Sequence, residues 1–270
     1  MARRANRRDH HATAGLLQRG PAVAAAETAL TARPDPTAWG LSAPLEPIGA
    51  GARNVVFRCG DIVLKSTGRS EAALRWLVPV QAAARQVGFV TADPVPARNG
   101  RLIVGGWTAE RFLPGRIADP RDLSALAPRI AAFHRAARRL PPRPGVPGTA
   151  ALLRLGRGGD VVLPAMPQKL AKAIRTAFAD VADTPQGVVH GDLNPGNIIV
   201  TAQGPALIDW DESRHDALCL DRVTLGLPAT RAERRAALAW EIACCWWPEP
   251  ECARRLARRF IRSAGAAPIP

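Results

Sequence analysis

Val188-Val189-His190-Gly191-Asp192-Leu193-Asn194-Pro195-Gly196-Asn197-Ile198-Ile199-Val200 decides the reading of this chain of 270 residues. Two apolar, β-branched runs bracket a polar loop, so the loop is expected to be pinned at both ends by short strands. It presents one carboxylate, Asp192, and five residues later one amide, Asn197, to the same cleft. Asp192 can accept a hydroxyl proton, and Asn197 can offer a carbonyl oxygen to a hard cation. Twelve residues after Asn197, Leu207-Ile208-Asp209 ends another apolar run in a carboxylate. Mg²⁺ takes one or two carboxylates together with substrate phosphates, which makes Asn197 and Asp209 candidate metal ligands.

Toward the N-terminus, Leu45–Ile48, Val55-Val56-Phe57 and Ile62-Val63-Leu64 read as three short strands. The last two are separated by Cys59-Gly60-Asp61, a turn, so antiparallel hairpins are expected. Gly49-Ala50-Gly51-Ala52-Arg53-Asn54 lies between the first two runs, where glycines would let backbone N–H groups approach phosphate oxygens. Lys65 ends the third run, a point charge on an apolar strand in a chain that almost always uses arginine. Glu71–Val87 reads as a helix interrupted by Pro79, Asn99-Gly100 as a hairpin turn, and Trp107–Leu113 as a further strand. Beyond Pro114-Gly115 the pattern turns helical, over Leu123–Leu140, Pro167–Val181, Arg231–Trp247 and Glu249–Ile261. The class is α+β: a small β-rich lobe over 41–113, a larger helical lobe over 114–270, and a flexible basic tail over 1–40.

His190–Asn197 followed by Ile208-Asp209-Trp210-Asp211 resembles the catalytic loop of the aminoglycoside phosphotransferase and choline-kinase-like family, whose members share the protein-kinase fold. Protein kinases carry Arg where this chain has Gly191, and His-Gly-Asp is the small-molecule form. The resemblance runs from about Pro47 to Asp221 and implies transfer of a phosphoryl group from ATP, with GTP as the alternative, to a small-molecule hydroxyl. It makes Asp192 the catalytic base and gives Asn197 and Asp209 to Mg²⁺ as both catalytic and metal residues. Gly49, Gly51, Asn54 and Lys65 would hold the nucleotide phosphates, with Asn54 in place of a third glycine. Glu71 would be the partner of Lys65, at a spacing of six that demands a tight loop. Main-chain groups near Glu110 and Phe112 would meet the adenine. Asp221 would brace the catalytic loop, His190 would hold its shape, and Asp211 would approach a second metal or be solvated.

Charge is the unusual feature of the composition: 37 Lys+Arg against 23 Asp+Glu give a net +14. Lysine accounts for only three of the 37, tyrosine is absent and alanine is abundant, the pattern of GC-rich coding. The charge therefore does not by itself point to nucleic acid. No run reaches the ~18 apolar residues of a membrane helix. Five cysteines without a CxxC read as reduced thiols rather than a zinc site, and the first forty residues lack a signal-peptide core. A cytoplasmic enzyme without a membrane partner is expected. From Ser213 to the C-terminus six acids stand against ten arginines, so a neutral or anionic acceptor is favoured over a polycation. A peptide or protein kinase is the alternative enzyme, but only eleven residues separate Asp209 from Asp221 and no Ala-Pro-Glu follows. A non-catalytic nucleotide-binding regulator with a basic tail is the alternative of another class.

Overall fold

The computed structural model describes residues 33–50 and 54–264. The β-branched runs around the Gly60 turn do pair. β1 (Glu46–Ala50), β2 (Val55–Cys59) and β3 (Ile62–Ser66) form successive antiparallel neighbours, and Gly60 takes the positive φ that the tight turn requires. Ser70 then caps a helix by accepting from the Ala73 N–H. The helical stretch is split as α1 (Glu71–Arg75) and α2 (Leu77–Gln86), broken at Trp76 so that Pro79 falls in the first turn of α2, where proline is tolerated.

β4 (Val90–Thr91), β5 (Trp107–Arg111) and β6 (Arg116–Ile117) follow. β5 completes the first sheet beside β3, in the order β1-β2-β3-β5. The Asn99-Gly100 turn forms, with Ala97 N–H donating to Arg101 and Gly100 N–H to Ala97. Its flanks are only bridged to β5 rather than forming strands, since Pro94 and Pro96 supply no N–H to a ladder. The expected tail ends sooner than residue 40. Pro36–Trp39 is a 3₁₀ turn whose Trp39 is buried against Phe57 and Trp107 and donates from Nε1 to Val95. Residues 1–32 lie outside the described residues.

The larger lobe is helical around small sheets. It comprises α3 (Pro120–Ala125), α4 (Ala127–Ala137), α5 (Thr149–Leu155), β7 (Arg157–Gly158), β8 (Val161–Val162) and α6 (Gln168–Ala179). β9 (Gln186–Val189), β10 (Ile198–Thr201), β11 (Gly204–Leu207), β12 (Arg214–Ala217), α7 (Cys219–Thr224), α8 (Arg231–Cys245) and α9 (Pro250–Ala264) complete it. β9 and β10 are the two apolar runs that bracket the polar loop. β10 pairs with β11, and β9 with β12, so the loop and Asp209 emerge at neighbouring strand ends. β4 joins this lobe, running parallel to β11. With it, α2 enters the main core: Leu77, Val80 and Phe89 pack with Ile130, Phe133, Leu193 and Trp210. A second core, built on Phe178, Trp240 and Phe260, holds α6, α8 and α9 together.

Candidate active site

The catalytic loop is shaped by its own polar residues. Asn194 accepts from the Gly196 N–H, Pro195 sets the first position of the following 3₁₀ turn, and the turn delivers Asn197 to the start of β10. Asn197 Nδ2 donates to the Asp192 carbonyl and, at 2.7 Å, to Asp192 Oδ2. Asn194 Nδ2 donates to the other carboxylate oxygen at 2.9 Å. The Asp192 carboxylate is thus held by two amides.

Behind the loop, Asp221 is fully buried and accepts from the His190 and Gly191 N–H groups, each at 2.9 Å. It also lies 2.9 Å from His134 Nε2. Burial alone would raise its pKa, but His134, His190 and the Gly191 N–H hold it below the ordinary carboxylate value. Burial dominates at His190 and lowers its pKa; its Nε2 lies 3.1 Å from the Ile208 carbonyl and its ring 4.5 Å from that of Trp210. Gly191 has φ +88, and a Cβ there would lie 2.5 Å from the Glu212 carbonyl and 2.7 Å from Arg214 Nη1. The side chain that protein kinases carry at this position would meet a buried guanidinium.

Asp209 is the one non-glycine residue with positive φ among the described residues, at φ 58. This left-handed turn at the end of β11 swings its carboxylate toward β3, where Oδ1 meets Lys65 Nζ at 2.6 Å. Asp211 Oδ2 is 3.0 Å from the same nitrogen and also accepts from Asn54 Nδ2 at 2.7 Å. Burial would lower the Lys65 ammonium, but Asp211 and then Asp209 more than offset it and keep the charge above its ordinary range. Burial would raise Asp211, but Lys65, then Arg69 and Arg143, pull it well below the usual value. Arg69 is itself held by Asp160, and Arg143 Nη1 donates to the carbonyls of Trp210, Asp211 and Ser213.

The structure therefore brings Asp192, Asn197, Asp209, Lys65 and Asn54 to one site, and it corrects other expectations. Glu71 does not meet Lys65. Its Oε1 accepts from the Leu102 N–H and from Arg75 Nη2, both at 2.9 Å, because the cap at Ser70 fixes it in the first turn of α1, pointing at the 100–102 turn. The Phe112 N–H is not open to an adenine either, since it donates to the Asp61 carbonyl, and the Phe112 ring is covered by the Arg58 guanidinium at 4.0 Å. Glu110 sits inside β5 between Val63 and Pro94. Burial, followed by Asp209 and Asp211 against the opposing Lys65, pushes its carboxyl up to about 7. Gly49 lies in β1 opposite Val56, beside a bulge. Gly51 lies outside the described residues.

Lys65, Asp192 and Asp209 open onto a cavity of about 760 Å³ that continues between the catalytic loop and α7–α9. Its outer wall carries Glu212, Glu241, Glu249, Arg234 and Trp240, the last donating from Nε1 to Glu212. Partial burial and the neighbouring Asp192, Glu212 and Glu249 raise the Glu241 pKa, the mark of like charges facing one space. This outer wall sets three glutamates against one arginine, although the 213–270 segment as a whole is net basic. Arg254, Arg258 and Arg262 line a separate surface groove with Leu170 and Trp246, while the acids face the cavity. Sequence reading missed Arg143, hidden in a proline-rich loop, and these three glutamates, which come from two segments; only the fold unites them.

The family model for the APH phosphotransferase enzyme family matches residues 44–261. No curated protein sequence matches the chain. Among solved structures, amicoumacin kinase hAmiN in complex with AMP-PNP, Ca²⁺ and Ami superposes with a TM-score of 0.53 at 16% identity, covering 84% of this chain and 74% of that one. A thermostable mutant of the aminoglycoside phosphotransferase APH(4)-Ia, apo form, gives 0.53 at 12% identity, covering 83% and 96%. LicA in complex with AMP gives 0.52 at 14% identity, covering 81% and 90%. These are similarities of fold, the two-lobed architecture of protein-kinase-like phosphotransferases.

Proposed function

The chain belongs to the APH phosphotransferase enzyme family, and we propose that it transfers the γ-phosphoryl group of ATP to a hydroxyl of a cationic small molecule. One observation carries the reading: a lysine on an apolar strand, a carboxylate held by two amides and a strained aspartate converge on one cavity whose far wall is acidic. Lys65 would hold the nucleotide phosphates, while the acceptor hydroxyl would sit against Asp192, which takes its proton. Structural neighbours of this fold hold AMP-PNP with Ca²⁺, or AMP.

The donor set fits a hard cation. The Asn197 side-chain oxygen and the Asp209 carboxylate are the oxygen ligands that Mg²⁺ takes beside phosphate groups, and the described residues hold no cluster of three or more His, Cys, Asp or Glu suited to a metal. The cation, when bound, would neutralise charge developing on the transferred group. Glu212, Glu241 and Glu249 would bind the acceptor's amines and turn its hydroxyl toward Asp192. No described helix is long and apolar enough to cross a membrane.

The test is phosphate transfer from radiolabelled ATP or GTP across a panel of hydroxylated cations, neutral sugars and sugar acids, with Asp192→Asn as control. Turnover on cations that Asp192→Asn abolishes is expected. Turnover confined to sugar acids would overturn the acceptor class, and nucleotide binding without turnover on any acceptor would favour the regulator.

A further inference from the structure

Two carboxylates meet the Lys65 ammonium, and they are not equivalent. Asp209 lies 2.6 Å away and its side chain is 41% exposed; Asp211 lies 3.0 Å away and is 23% exposed. Asp211 is the better anchored. The oxygen that meets Lys65 also accepts from Asn54, and Arg143 grips the carbonyl of Asp211 itself together with those of Trp210 and Ser213. Glu71 does not reach Lys65: its Oε1 accepts from the Leu102 N–H and from Arg75. A buried ammonium needs a carboxylate that stays with it, because removing one partner of a buried pair leaves an uncompensated charge.

We propose that Asp211, and not Glu71, is the residue that positions Lys65 for the nucleotide phosphates, and that it keeps Lys65 in place when Asp209 turns to a cation. The proposal rests on the phosphoryl-transfer reading of this site. It gives Asp211 a second consequence. Asn54 ends the segment expected to cover the phosphates, so one carboxylate ties together that residue, the lysine and the loop that carries Asp209. The alignment of Lys65 then depends on the 209–213 loop and its Arg143 clamp.

The composition supplies a clean probe, because Lys65, Lys169 and Lys172 are the only lysines. In ¹⁵N-lysine-labelled protein at low temperature, an ammonium locked in an ion pair exchanges slowly enough to be seen, whereas the exposed Lys169 and Lys172 on α6 exchange away. Lys65→Arg assigns the signal. The signal is expected in the wild type with and without Mg²⁺ and AMP-PNP, to survive Glu71→Gln, and to vanish in Asp211→Asn once Mg²⁺ and AMP-PNP are bound and Asp209 has turned to the cation. In steady state, Asp211→Asn is expected to lower kcat/KM for ATP by about tenfold or more, Asp211→Glu to recover part of it, and Glu71→Gln to stay within about twofold. Thermal melts identify any variant that fails to fold, and Asp211→Glu preserves the charge. A signal lost in Glu71→Gln and kept in Asp211→Asn would overturn the proposal while leaving phosphoryl transfer standing. A wild type that binds no nucleotide would overturn the phosphoryl-transfer reading and the proposal together.

Discussion

Gly191 is the residue at which the catalytic loop tolerates least change. Alanine there would combine a positive φ with a Cβ driven into the Glu212 carbonyl and the Arg214 guanidinium. Gly191→Ala is expected to lose about 2 kcal/mol or more in urea unfolding; a loss under about 0.5 kcal/mol, the scale of an ordinary surface change, would contradict that packing. At Asp192 the expectation is kinetic. Asp192→Asn should reduce kcat by about 10²- to 10⁴-fold with the KM for ATP nearly unchanged, because the proposed role of the residue is toward the acceptor and not the phosphates. Glu110 gives a pH signature. Its folded-state value is raised to about 7 from an ordinary 4.5, so its protonated form stabilises the nucleotide-free fold fully below 4.5, and that contribution is lost as pH rises through 7. Glu110→Gln should flatten the fall in thermal midpoint between those limits; an unchanged profile would contradict the assignment. At this scale the meeting of Asp192 with Asn197 and of Asp209 with Lys65 was legible, because spacing and neighbours marked those residues. Glu71 was misread because spacing along a strand–loop–helix does not say which way the first helical turn faces. Arg143 carried no signal, being one arginine among many.

At the scale of elements, the Arg143 clamp is the contact whose loss should be felt most. Its Nη1 serves three carbonyls of the 210–213 segment and its Nε serves Ala73, so one side chain joins α1 to the loop beyond Asp209. Burial dominates there and lowers its pKa to about 10, yet it is charged at neutral pH. Arg143→Leu would strand several buried acceptors and is expected to cost about 3 kcal/mol or more by urea unfolding, with nucleotide affinity falling in parallel. A loss of stability with unchanged affinity would show that the clamp does not orient the loop. Elements with apolar runs or caps were legible. β2, β3, β9 and β10 follow their β-branched residues, and α8 begins at the Thr230–Glu233 capping box. β12 was not legible, because Arg214-His215-Asp216-Ala217 shows no apolar alternation. It is buried by its polar pairings instead, with Arg214 2.6 Å from Asp216, Asp216 accepting from Thr149, and the guanidinium stacked 3.2 Å from the Trp240 ring centroid. Likewise α2 was legible as a helix, but its burial in the larger lobe depends on the parallel pairing of β4 with β11, a contact remote in sequence.

Over the whole molecule, charge is sorted by place. A chain of net +14 places three glutamates on the wall of its central cavity and turns Arg254, Arg258 and Arg262 of α9 to a separate groove. Composition reports the sum and is blind to that sorting, so the two-lobed fold could be read from the sequence and the charge of the cavity wall could not. Small cationic acceptors should therefore lose affinity as salt rises, at constant nucleotide affinity, since their attraction is to the exposed outer wall. Titration of a responsive acceptor at two ionic strengths checks this. The nucleotide site itself comes first: thermal stability of the wild type and of Asp209→Asn with AMP-PNP, with and without Mg²⁺. At about a hundred times its dissociation constant the ligand should add about 2.7 kcal/mol to the wild type only when Mg²⁺ is present, and Asp209→Asn should lose that gain. Equal stabilisation without Mg²⁺, undiminished in Asp209→Asn, or no stabilisation of the wild type at all, would contradict a cation-assisted phosphotransferase site built on Asp209.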